Sequence, residues 1–179
     1  LFKTVGFRRA TVHDIAERAG VSPATIYNHF GSKEGLVRDV VKRLMLDTTE
    51  KYWAIMDGDR PFLERLELIV FDKEELSRQY DGELVQAVAS SDPEIQQLAE
   101  YLYGQATERM VTFFEEGRTL GYVNPELSRE AVLTYLDILR KGILAHADLF
   151  AEPEKNAQLV RELSSLYLYG LLGKRDASP

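Results

Sequence analysis

At 179 residues, with 45 % apolar and 28 % charged residues, the chain has the make-up of a soluble globular protein long enough for a small domain joined to a larger one. No run of about 18 apolar residues is present to span a bilayer, and the lack of cysteine removes disulfides, thiolate nucleophiles and cysteine metal sites together, so a cytoplasmic protein in a reducing interior is expected. The formal charge of −7 speaks against a polyanionic partner only as an average: residues 1–45 carry +4 and the remainder −11, the asymmetry of a nucleic-acid-binding end on an acidic body.

The chain opens on Leu-Phe-Lys, with neither an initiator methionine nor signal-peptide architecture, and residues upstream are expected to be missing. Helix signals then follow one another, and strand signals are nearly absent. Thr11 with Asp14 forms a capping box for a helix over roughly 12–19, which Gly20 ends. Ser22 and Pro23 supply an N-cap and an N1 proline for a second short helix to about His29, closed by Gly31. Ser32 caps a longer helix from Lys33 to Met56, stopped by the sequence DGDRP.

Further helices are expected near 62–79, 82–90, 93–120, 127–149 and 154–172, with the 71–92 region ambiguous. The fold class is all-α: an N-terminal helix-turn-helix domain over 1–45, followed by a helical domain over 46–179.

Two short helices joined by a glycine-containing turn are the geometry in which the second helix enters the DNA major groove. Ile15, Ala16, Ala19 and Val21 are expected to bury against Ile26 and Phe30. Ala24, Thr25, Asn28 and His29 then fall on the free faces of the second helix, flanked by Tyr27. Asparagine can read adenine bidentately, threonine and alanine can meet a thymine methyl, and tyrosine, serine and lysine commonly grip phosphates.

The stretch LFKTVGFRRATVHDIAERAGVSPATIYNHFGSKEGL resembles the DNA-binding domain of the TetR family of bacterial transcriptional regulators, covering residues 1 to about 45. More than a dozen residue types stand at the family's fixed spacings. In that family a first helix precedes the motif, and Leu1–Val5 would be its tail. The resemblance implies a homodimer that binds a palindromic operator, usually represses, and releases DNA when a small molecule enters the C-terminal domain. It also implies phosphate contacts from Thr11, Tyr27 and Lys33, and a groove-facing set of Ser22, Ala24, Thr25 and Asn28.

No cofactor or metal is expected. His13 and Glu17 stand four residues apart on a charged face, which without a third ligand reads as solvated surface. An enzyme is improbable, since the sequence offers no phosphate loop after a strand, no paired-carboxylate motif and only scattered histidines. The competing reading within regulators is a ligand-independent dimeric DNA-binding protein. Trp53, Tyr101, Phe113, Tyr135 and His146 are candidate ligand contacts, with core packing as the plainer reading of each. His146 falls amid Ala131, Tyr135, Leu139, Gly142 and Ile143, where a core histidine is expected.

Both of the last two helices carry apolar arcs far wider than the roughly 100° needed for packing on one side. A dimer interface of Ala147, Ala157, Ser164, Leu168 and Leu171 is therefore expected there, with the last four at its partner-facing edge and the opposite edge of the arc as the alternative.

Overall fold

The computed structural model describes residues 2–69, 92–146, 158–163 and 165–166. Within them the order is α1 (Phe2–Arg9), α2 (Val12–Ala19), α3 (Pro23–Phe30), α4 (Lys33–Met56), α5 (62–69), α6 (Pro93–Thr119) and α7 (Arg129–Ala145), with further helical residues at 158–163. The all-α expectation holds, and no strand occurs among the described residues. The helix expected at 82–90, the later part of 62–79, and all five dimer-interface residues (Ala147, Ala157, Ser164, Leu168, Leu171) lie outside the described residues.

Local chemistry sets most boundaries. Gly6 adopts φ +79° inside α1, a left-handed conformation open to glycine, and kinks the helix there. The Thr11 hydroxyl accepts from the Asp14 N–H at 3.1 Å and the Asp14 carboxylate accepts from the Thr11 N–H at 3.1 Å, completing the capping box. Gly20 ends α2 at φ +68°, and its N–H bonds back to the carbonyls of Ala16 and Glu17. Ser22 and Ser32 cap α3 and α4, each accepting a backbone N–H three residues on. Toward the C-terminus, Ser128 caps α7, so Leu127 lies in the preceding turn and the helix begins two residues later than the sequence pattern suggests.

Three apolar clusters organise the described residues. Val12, Ala16, Ile26 and Leu36 form the small N-terminal core, with Ile15, Phe30 and Val40 packed against it. Phe7, Val41 and Ile95 join α1, α4 and the start of α6. Met56, Phe62, Leu66, Ile69, Phe113, Phe114, Val123 and Val132 form the larger core, in which the Phe62 and Phe113 rings stack at 4.6 Å.

Helices α4 and α6, of 24 and 27 residues, run on the order of 36 and 40 Å and touch both ends of this arrangement. At their far end Arg65, only 5 % exposed, donates to the Met56 carbonyl and pairs with Glu116, tying the C-terminus of α4 to α6.

Candidate nucleic-acid interface

The recognition surface begins with what α3 hides. Ile26 is buried and Phe30 half-buried, and these two fix the helix against α2 and α4. Everything else on α3 faces outward: Ala24, Thr25, Asn28 and His29 are exposed, and Tyr27 is 50 % exposed, a large aromatic left uncovered on a short helix. His29 stands edge-on to the Phe30 ring at 4.7 Å. The packing expected of Ala19 and Val21 does not form. Ala19 is exposed and Val21 is 40 % exposed, because Val12 and Leu36 fill the space beside Ala16 and Ile26.

Other predicted contacts already have partners within the chain. The Thr11 hydroxyl donates to the Asp14 carboxylate at 2.5 Å, and the same hydrogen-bonded pairing holds the Asp14 carboxyl below its usual range. Ser22 accepts the Thr25 N–H at 3.1 Å, and their hydroxyls lie 2.9 Å apart, so both residues shape the start of α3. Lys33 is half-buried and its Nζ donates to the Arg8 carbonyl at 2.9 Å, pinning the end of α1 to the first turn of α4. That bond links residues 25 apart, and no local pattern announces it.

Part of the positive charge of the N-terminal segment is also spent internally. Arg38 pairs with Asp92 at 2.7 Å and with Glu94 at 3.3 Å, Lys42 pairs with Glu94 at 3.0 Å, and Arg43 pairs with Asp47 at 2.8 Å. Arg8, Arg9 and Arg18 remain exposed on the α1–α2 side. The Arg8-Arg9 pair contributes to the charge of the N-terminal segment, but nothing local in the sequence fixes its place at the surface.

The five candidate ligand contacts do not converge. A cleft of about 580 Å³ opens at the α4–α5 corner, walled by Met56, Phe62, Arg65, Arg109, Phe113 and Glu116 among others. Of the five, only Phe113 lines it, and at 3 % exposure it is chiefly core. Trp53 lies beneath the Arg109 guanidinium, 4.7 Å from its ring centre. Tyr101 is 62 % exposed on α6 and Tyr135 is 39 % exposed on α7. His146 is exposed at the C-cap of α7, not the core histidine expected. The physical reason is that the arc of Ala131, Tyr135 and Gly142 beside it faces outward, while Val132 and Leu136 on the neighbouring arc face the core.

A capped helix pair with a small sealed core, whose second helix presents Thr25, Tyr27, Asn28 and His29 to solvent, defines a helix-turn-helix DNA-binding protein. Residues 1–40 match the bacterial regulatory proteins of the tetR family. The HTH-type transcriptional repressor KstR2 of Mycobacterium tuberculosis is 28 % identical over 142 residues, covering 76 % of this chain and 70 % of the relative. In three dimensions the chain is similar to a TetR transcription regulator from Haloarcula marismortui (TM-score 0.66, 16 % identity, 96 % of this chain and 92 % of that one). It is also similar to a transcriptional regulator from Saccharomonospora viridis solved in complex with choline (TM-score 0.64, 19 % identity, 98 % and 93 %). With residues 1–40 matching the tetR family and a transcriptional repressor among its relatives, the chain reads as a DNA-binding transcriptional regulator.

Proposed function

We propose that this regulator is a cytoplasmic repressor that binds a palindromic operator as a homodimer and is released from it by a small-molecule effector. The observation that carries the DNA part is the exposed face of α3 on a fixed core. The KstR2 relative is a transcriptional repressor by name, and a neighbour of the same fold holds choline. Support for a dimer comes from α7, where Tyr135 and Ile138 leave apolar surface exposed beside the inward-facing Val132 and Leu136.

A two-fold dimer presents two recognition helices to matching half-sites, so the operator should be an inverted repeat with half-site centres roughly 34–36 Å apart, or multiples of that. The effector would act by binding one arrangement of the two recognition helices better than another, since only differential affinity moves such an equilibrium. Thermal-shift screening of the purified protein against a metabolite library tests this part. A compound that binds the folded state raises the melting temperature, and one that also weakens operator binding is the expected effector. If no compound does both, the ligand-independent dimeric regulator is the better reading.

Two substitutions separate reading from gripping. Asn28→Ala should relax preference at particular base pairs, at a cost of about 1–3 kcal/mol for a lost bidentate contact, measured by comparing the DNA each protein selects. Unchanged preferences would remove Asn28 from the reading set. Lys33→Ala should weaken binding to all sequences alike and flatten its salt dependence by roughly one counterion, read from affinities at several salt concentrations. An unchanged salt slope would leave Lys33 only its bond to the Arg8 carbonyl.

A further inference from the structure

The N-terminus of α6 does more than start a helix. Asp92 Oδ1 accepts the backbone N–H groups of Glu94 and Ile95 at 3.0 and 3.2 Å, which caps α6, while its Oδ2 accepts from Arg38 Nε on α4 at 2.7 Å. Glu94, in the first turn, takes both Arg38 and Lys42. Between these charges Ile95, 4 % exposed, enters the cluster of Phe7 from α1 and Val41 from α4. The far half of α6, through Phe113 and Phe114, is built into the larger core. A single rigid helix therefore ends on the DNA-binding unit at one extreme and in the C-terminal domain at the other.

We infer that Asp92 and Glu94 are positioning residues for operator binding: by holding Arg38 and Lys42 they fix the tilt of α4, and with it the orientation of α2 and α3, relative to the C-terminal domain. Lys42 lies nine residues beyond Lys33 on α4, about 14 Å further along the helix axis from the turn assigned to phosphate contact. Lys42 is thus placed to meet α6 and not DNA, and Arg38 is held by both Asp92 and Glu94. The pairs are half-exposed, with side-chain exposures of 33–34 % on the basic side and 21–55 % on the acidic side, so their loss should change global stability little. What they contribute is one defined angle between two units that are otherwise joined by α4 and by the small apolar contact of Phe7, Val41 and Ile95.

The alternative role for these cations, phosphate contact restrained by nearby acids, makes the opposite prediction for one substitution. Glu94→Lys places a third positive charge beside Arg38 and Lys42. If the acids position α4, repulsion opens the contact and operator affinity falls, by about five-fold or more on the usual scale of coupling between sites. If the cations are phosphate contacts, the added charge tightens binding to every duplex. The assay is fluorescence anisotropy of the full chain on the duplex selected by the parent protein and on an unrelated duplex, with melting temperatures measured in parallel. Weaker operator binding by Glu94→Lys, with partial recovery in the charge-swapped Lys42→Glu/Glu94→Lys protein, is the expected result. Operator binding by Glu94→Lys equal to or tighter than the parent's, or a swap that recovers nothing, overturns the inference. Should Glu94→Lys fail to fold, Asp92→Asn/Glu94→Gln removes the charges while keeping an N-cap residue. That protein should also bind operator more weakly, and parental affinity would overturn the inference equally.

Discussion

Ile138→Glu should convert the proposed dimer into helical monomers that no longer hold an operator. Ile138 is 60 % exposed on α7, with Tyr135 at 39 % and Ile143 at 37 %, and Leu166 in the last described helical segment is 69 % exposed. The other half of α7 packs Val132 and Leu136 into the larger core, so the helix has apolar residues on two sides, and among the described residues the core covers the side of Val132 and Leu136. In a two-fold contact the substitution is made twice and sets two carboxylates in a desolvated interface, where each is costly and the two repel. Separating the subunits removes the linkage between half-sites, worth roughly 10²–10⁴ in avidity. Sedimentation reads the mass and anisotropy the affinity. An intact dimer with parental affinity would move the interface away from this face.

The second large effect falls on stability. Phe113→Ala should cost about 3–5 kcal/mol, the usual range for truncating a buried phenylalanine, and lower the melting temperature by roughly 6–20 °C for a chain of this size. Phe113 is 3 % exposed, stacks on Phe62 at 4.6 Å, and has the Arg65 guanidinium 5.2 Å from its ring centre. Deleting the ring removes the nearer stacking partner of Phe62, leaving Tyr122 at 5.6 Å, and opens a cavity beside a buried, charged side chain. A residue serving only to contact ligand would leave the apo protein's unfolding unchanged, so a shift of a degree or less would return Phe113 to the list of ligand contacts.

The sequence made the N-terminal domain legible because its signals are local. Thr11 with Asp14, Ser22 with Pro23, and Ser32 each fix a helix start through bonds spanning three residues, and the structure places all three helices there. Contacts between distant residues carry no such signal. Arg38 and Asp92 are 54 positions apart, Arg65 and Glu116 are 51 apart, and nothing in either neighbourhood names the partner. Burial failed where geometry alone could not choose a side. A helical wheel locates the apolar arc around His146 but not whether that arc meets the core or solvent, and on α7 it meets both. Val21 failed for a related reason: the turn leaves it beside the small core, whose volume Val12 and Leu36 already fill. The candidate ligand contacts were chosen as aromatics at helical spacing, a pattern common to core, surface and pocket, and the five spread over all three settings.

Whether α3 reads base sequence from a symmetric pair of copies is tested most directly by selection of bound DNA from a random pool, run side by side for the parent protein and Asn28→Ala. The expected result is a strongly enriched inverted repeat for the parent and, for the variant, the same repeat with preference relaxed at the same position of each half-site. Enrichment of a single asymmetric half-site, or identical preferences from the two proteins, would contradict it.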